Sequence, residues 1–185
     1  PSTIISQTSA FILSNGTIVN IDGSPLRLKN AAANAHIALR HRNHLAIRTL
    51  NSMDLVNPPT LKDFSAGTGE AYTDSGISTN ANMRQMGSLY TMWNGDINSD
   101  GYIRYTDYFD FGTFQTIESD ALSVINFLGS ASGQYDGYNK NDINFDGHVR
   151  YTDYFDFGTF QTIESDALQI INMLGNAAGQ FNSHL

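Results

Sequence analysis

Two stretches of this chain read D-x-N-x-D-G-x-[IV]-x-x-x-D, with Asp96, Asn98, Asp100, Gly101, Tyr102 and Asp107 in one and Asp142, Asn144, Asp146, Gly147, His148 and Asp153 in the other. Oxygen donors at positions 1, 3, 5, 7 and 12 of a loop, with glycine at 6 for the sharp turn, suit calcium, a hard cation that takes six to eight oxygens. The expected donors are the side chains of Asp96, Asn98, Asp100 and Asp107 with the Tyr102 carbonyl, and those of Asp142, Asn144, Asp146 and Asp153 with the His148 carbonyl. A carbonyl donor tolerates the change from Tyr102 to His148 at position 7. Arginine at position 9, Arg104 and Arg150, cannot ligate. Two Ca2+ sites are expected, and their filling should couple to folding, because clustered carboxylates repel one another without the ion. The competing reading is a pair of Asx-rich turns, which need no metal.

Each loop must be held in place by the residues C-terminal to it. Arg104–Leu122 is identical to Arg150–Leu168, 46 residues further on, which marks a duplicated supersecondary unit. A helix is expected in each copy. Ser119 or Thr116 can cap the first, Glu118 and Asp120 place negative charge near its N-terminus, Leu122, Ile125 and Leu128 share a face, and Gly129 ends it. Ser165, Leu168, Ile171, Leu174 and Gly175 repeat the pattern. Two such helices can bury on each other what neither covers alone. Tyr105, Tyr108, Phe109, Phe111 and Phe114 read as core, although so many rings in a small unit leave some over for an interaction surface.

The first half reads as β-structure. Thr3–Ile5, Ala10–Leu13, Thr17–Val19, Leu26–Leu28, His36–Leu39 and Leu45–Arg48 are short apolar or β-branched runs, separated by turn signals at Asn15-Gly16, Asp22-Gly23 and Arg42-Asn43. The expected fold class is α+β: an antiparallel β-sandwich-like domain over residues 1–57, a Pro/Gly/Ser/Thr-rich connecting segment over 58–92, and duplicated calcium loop-helix repeats over 93–185, at 93–134 and 139–180.

A net charge of -8 argues against nucleic acid as a partner and favours divalent cations. With no cysteine there is neither a disulfide framework nor a thiol nucleophile. No apolar run is long enough to span a membrane. Pro1 without an initiator Met suggests a processed or excised chain, and calcium loops suit an extracellular or cell-surface setting, where the ion is abundant.

The loops resemble the dockerin and EF-hand-like calcium modules of secreted bacterial proteins. Ser9–Gly16, Leu39–Leu45, Met92–Asp96 and Tyr105-Thr106 together resemble the C-terminal region of extracellular Bacteroidota surface proteins of the hemagglutinin-like or adhesin-like kind. That resemblance implies an extracellular β-domain followed by paired calcium loops, with no established catalysis. It also implies acids just before the helix, which map to Glu118 and Asp120 here and to Glu164 and Asp166 in the second copy. Loop spacing prefers Asp107 and Asp153 as the closing ligands; Asp120 and Asp166 are the alternative. The chain departs from a dockerin in setting the aromatic segment Tyr108–Gln115 between loop and helix.

The function expected is a secreted calcium-binding structural protein whose stiffened repeats support self-assembly, as a homo-oligomer or filament, or extracellular architecture. The alternative is a dockerin-like or adhesive module that attaches a larger protein to a surface receptor or carbohydrate. No nucleophile–base constellation or phosphate-binding loop supports an enzyme. His41 and His44, with His36 nearby, read as strand histidines rather than as a zinc site.

Overall fold

The computed structural model describes residues 3–30, 32–57, 62–74, 81–105, 108–129, 134–175 and 180–182. Its architecture is mixed α+β, with small antiparallel two-stranded sheets and two helices in contact. It divides into two compact units, Pro1–Ile37 with Asn51–Asp63, and Ala38–Leu50 with Phe64–Leu185. No described helix is long and apolar enough to cross a membrane.

In the first unit β1 (Phe11–Ile12) pairs with β2 (Ile18–Val19). Asn15-Gly16 makes the turn: Gly16 is left-handed at φ 82, and the Thr17 N–H donates to the Asn15 side-chain oxygen at 3.0 Å. Asp22-Gly23 turns the chain in the same way. Thr3–Ile5 and Leu26–Leu28 are not strands, and no described sheet exceeds two strands, so stacked sheets are not seen among the described residues. The physical reason is burial. Val19 is the one buried apolar side chain described in this unit, whereas Ile4, Phe11, Ile12, Ile21 and Val56 are exposed, which leaves no interior for two sheets to share.

The second unit opens with the hairpin β3 (Ala38–His41) and β4 (His44–Arg48), which turns at Arg42-Asn43. Alternation along β4 sends Leu45 and Ile47 inward, to different places. Ile47 packs with Ala71 and Met83, and Leu45 joins the core of the repeats. The stretch expected to be a plain connector carries a further hairpin, β5 (Arg84–Met86) with β6 (Leu89–Thr91), turning at Gly87 with φ 62.

The repeats then run β7 (Tyr102–Arg104), β8 (Tyr108–Asp110), β9 (Gln115–Ile117), α1 (Asp120–Leu128) and β10 (Gln134–Asp136), followed by β11 (His148–Arg150), β12 (Tyr154–Asp156), β13 (Gln161–Ile163), α2 (Asp166–Leu174) and β14 (Gln180–Asn182). Each helix is capped as its sequence demands. The Ser119 hydroxyl accepts the Leu122 N–H and Gly129 closes α1 in the left-handed region; Ser165, Leu168 and Gly175 do the same for α2. Nine residues are too few for a helix to stand alone, so packing must hold both. The fully buried stripe is Ala121 and Val124, one position before the expected Leu122 and Ile125, with Ala167 and Ile170 in the second copy, while Leu174, an expected face residue, is buried as well.

The two repeats are bound to each other by crossed strands. β10, which follows α1, pairs with β11 of the second loop, and β14, which follows α2, pairs with β7 of the first. Both registers obey the 46-residue offset, with Tyr135 opposite Val149 and Phe181 opposite Ile103. Inside sit matching residues of both copies: Ile97 with Ile143, Ile103 with Val149, Ala121 with Ala167, and Val124 with Ile170. Gly95 shows how tight this core is. A Cβ there would lie 3.2 Å from Ile103 and 3.3 Å from Ile170, and its φ of 119 suits glycine alone.

Candidate metal centre

Both loops fold on the same internal hydrogen bonds. The Asp96 carboxylate accepts the Gly101 N–H at 3.2 Å, the Asn98 side-chain oxygen accepts the Asp100 N–H at 3.0 Å, and Asp100 accepts the Tyr102 N–H at 2.9 Å. In the second loop Asp142, Asn144 and Asp146 accept from Gly147, Asp146 and His148 at 3.2, 3.0 and 2.9 Å. These bonds tie each side-chain oxygen to a backbone N–H further along its own loop. Position 4 is left-handed in both copies, Ser99 at φ 61 and Phe145 at φ 62, a strained conformation for residues with a side chain.

The acids differ in how they are used. Asp107 lies outside the described residues. Asp153 is exposed, and its carboxylate accepts the Ser165 N–H at 2.9 Å, just ahead of α2. Asp120 and Asp166, at the first helical positions, reach into the loops instead. Asp120 Oδ1 accepts the Ile97 N–H and its Oδ2 the Arg104 N–H, both at 2.8 Å, so one buried carboxylate joins the start and end of the loop. Asp166 joins Ile143 and Arg150 in the same way, at 2.8 and 2.9 Å. Glu118 and Glu164 bond to Asn126 and Asn172 on their own helices.

Burial raises the carboxylates of Asp96, Asp120, Asp142 and Asp166 more than their hydrogen bonds lower them. Burial pushes Asp96 up to about 6, with Asp100 adding to the rise. Burial pushes Asp120 up to about 7 against the two N–H bonds it accepts, and Asp96 and Asp100 raise it further, so the three carboxylates feel one another. Asp166 rises to about 6, and Asp142 also rises, both mainly through burial. Asp96 and Asp142 are each only 4% exposed, and Oδ1 of each is buried without a hydrogen-bond partner. A buried, unpaired carboxylate oxygen costs free energy that a cation would offset, so this donor fits a metal.

Other features oppose that fit. Asp100 Oδ2 meets Arg104 Nη1 at 2.5 Å, and Asp146 meets Arg150 likewise. Among the described residues no three His, Asp or Glu side chains are gathered closely enough to hold a metal ion as they stand. His41 and His44 make a pair only: their Nδ1 atoms are 2.9 Å apart, and His44 Nδ1 is also 2.9 Å from the Asn43 side-chain oxygen. Burial lowers the His44 pKa to about 3 and lowers that of His41, so both rings are neutral near pH 7.

The sequence reading missed the part played by the β3–β4 turn. Asn43 is fully buried, and its side-chain amide donates to the Lys140 and Asp142 carbonyls at 2.9 and 3.0 Å while its backbone carbonyl accepts the Gly95 N–H at 2.7 Å. Phe145 stacks on His44 with centroids 5.5 Å apart and planes 3° from parallel. Nothing in the local pattern of residues 41–44 signals partners about a hundred positions away. The aromatic segment also departs from expectation. Phe111, Phe114, Phe157 and Phe160 are 74–78% exposed at the tips of the β8–β9 and β12–β13 hairpins, and Phe114 and Phe160 are left-handed at φ 55. The chain matches no protein-family model, no curated protein and no solved structure.

Proposed function

We propose that this chain is a secreted calcium-binding structural protein in which each of the two EF-hand-like or dockerin-like loops takes one Ca2+ and thereby stiffens the crossed repeats. The observation that carries the reading is the buried, unpartnered oxygen of Asp96 and of Asp142, the same atom at position 1 of both loops. Asp96, Asn98, Asp100 and the Tyr102 carbonyl would hold the first ion, with Asp120 as the closing acid; Asp142, Asn144, Asp146, the His148 carbonyl and Asp166 would hold the second. Asp120 and Asp166 displace Asp107 and Asp153 in this reading because they already join the loop ends from a buried position. The ion supplies positive charge to the clustered carboxylates, and Asp100 and Asp146 then share their charge between it and the neighbouring arginine.

Assembly is the second half of the proposal. Two identical hairpins present exposed phenylalanines at their tips, with Phe114 and Phe160 in the left-handed region. The same surface offered twice suits repetitive contact between copies, and a contact that does not close gives a filament. The resemblance to Bacteroidota adhesin-like surface proteins supports an extracellular setting for such an assembly. The alternative is that these tips dock a surface receptor or carbohydrate.

Calorimetric titration of an EDTA-stripped sample tests the metal reading. Two Ca2+ per chain are expected, with thermal unfolding shifted upward by the ion: each site held at 100 times its Kd contributes about 2.7 kcal/mol. No heat of binding and an unmoved Tm at millimolar calcium would overturn it. Sedimentation with and without calcium tests the assembly, and a monomer under both conditions sinks that half alone.

A further inference from the structure

We infer that β14 is an exchangeable strand, and that the seat it occupies on β7 and Trp93 takes the β14 of a second copy of this chain. This names a contact for the assembly half of the proposed function, and it rests on copies associating at all.

Each repeat gives away the strand that follows its helix and receives one from the other repeat. β10 lies on β11 and β14 lies on β7, in registers that differ only by the 46-residue offset. Such a contact is heterologous: donor and acceptor are different surfaces, so it can close within one chain or run on from chain to chain. β14 of one copy on β7 of the next would make the same bonds as β14 on its own β7. Exchange then gives up no strand contact, and protein concentration sets the balance.

The two donated strands are not held alike, because the duplication has diverged at the residues that seat them. Tyr135 on β10 meets Phe127 of the preceding helix edge-on, with ring centroids 5.4 Å apart, so β10 is tied to its own repeat. α2 has Met173 where α1 has Phe127, and it carries no aromatic residue at all. The ring contact of β14 lies on its acceptor instead. Phe181 meets Trp93 with centroids 4.6 Å apart and planes at 70°, and the place matching Trp93 in the second repeat is taken by Asn139.

Bonds that β14 does not supply hold this seat. Trp93 Nε1 donates to the Ala81 carbonyl at 2.8 Å, Ile103 is fully buried, and the Arg104 N–H is bonded to Asp120. Sequence separation adds to the contrast. Tyr135 and Val149 stand 14 positions apart, Phe181 and Ile103 stand 78 apart, and the longer loop costs more chain entropy to close. The preference for its own chain over a second copy is therefore weaker for β14 than for β10.

The chain has no cysteine, so introduced ones report the pairing without background. Tyr102 and Asn182 stand opposite each other, and opposed residues of antiparallel strands lie about 4.5–5.5 Å apart at Cα, within disulfide reach. Tyr102→Cys chains and Asn182→Cys chains are mixed in denaturant, refolded together with calcium, oxidised and separated on a non-reducing gel, beside sedimentation of the parent chain. A mixed dimer is expected well beyond like-with-like dimers, with a yield that rises with concentration. A chain carrying both substitutions should close on itself when dilute and form a ladder when concentrated. Phe181→Ala, which empties the Trp93 seat, should lower the assembled fraction severalfold at equal concentration. Exchange is overturned, with assembly left standing, if the parent assembles but the doubly substituted chain bridges only within itself, or if no excess of mixed dimer forms, or if Phe181→Ala assembles like the parent. A parent that stays monomeric at every concentration removes the assembly reading, and this inference with it.

Discussion

The two repeats are one sequence in two settings. Arg104–Leu122 and Arg150–Leu168 agree at every position, and their helices, caps and hairpins agree as well. What differs is what the hairpin β3–β4 brings to each loop. Arg42 lies near the second loop and lowers Asp142, partly offsetting the rise that burial imposes. Asp96 has no such counterweight among the influences on it and is raised by burial and by Asp100. A duplication therefore gives two equal scaffolds, and an element inserted between them makes the sites unequal. The comparison can be broken or sharpened at three points.

The largest effect is expected where the scaffolds agree. Asp120→Ala leaves the Ile97 and Arg104 N–H groups without their acceptor in a buried place, and Asp166→Ala does the same to Ile143 and Arg150. Each orphaned buried donor costs about 1–3 kcal/mol, offset in part by removal of a buried charge. Chemical denaturation of the calcium-free variants should show losses of similar size, and each variant should retain one calcium site rather than two. A large loss in one and none in the other would show that the scaffolds are not equivalent. Asp107→Ala is the contrasting substitution: if it abolishes the first site while Asp120→Ala spares it, the closing acid is the one that loop spacing prefers.

How much of this could be read beforehand divides along the same line. Helices, caps and the duplication were legible, because Ser119, Gly129 and their copies act within a few residues of where they stand. The turns at Asn15-Gly16 and Asp22-Gly23 were legible for the same reason. Strands were harder: Thr3–Ile5 and Leu26–Leu28 have suitable residues, but a strand needs a partner, and no local pattern states whether one arrives. The crossed pairing of β10 with β11 and β14 with β7 joins segments that share no pattern beyond the repeat offset. In the candidate site the donors Asp96, Asn98 and Asp100 were legible from spacing. The hold of Arg104 on Asp100 has the ordinary i, i+4 spacing and could have been anticipated, whereas Asn43 and Arg42 act from a distant hairpin.

A smaller effect is expected from pH. Asp96 near 6 and Asp120 near 7 lie above the usual 3.8, so the calcium-free fold holds more protons than the unfolded chain between about pH 4 and 7. The resulting stabilisation is fully present below the unfolded value and is lost as pH rises through 6 to 7. Calcium needs the opposite state, the deprotonated carboxylates. With a value near 6, about a tenth of Asp96 is ionised at pH 5, which alone weakens the first site roughly tenfold relative to neutral pH. The second site, aided by Arg42, should weaken less. Calcium titrations at pH 5 and 7 should resolve two affinities that separate on acidification, and Arg42→Gln should draw them together. Two sites that weaken in parallel, with or without Arg42, would remove the electrostatic part of the contrast.

The smallest effect concerns the residue that distinguishes the loops by shape. Phe145 stacks on His44 and meets His41 edge-on, yet half of it remains exposed, so its removal empties no closed cavity. Phe145→Ser should therefore cost about 1 kcal/mol, the scale of an aromatic pair, with calcium stoichiometry unchanged. Its informative consequence is at the histidines. The stacked ring helps bury His44, and burial is the largest cause of its low pKa, so opening that face should let the His44 imidazole titrate upward toward its ordinary 6.5. NMR titration of the histidine ring protons reads this directly. No measurable loss together with an unmoved His44 would mean that the hairpin is seated by its Asn43 hydrogen bonds alone, and that phenylalanine against serine is not what separates the two loops.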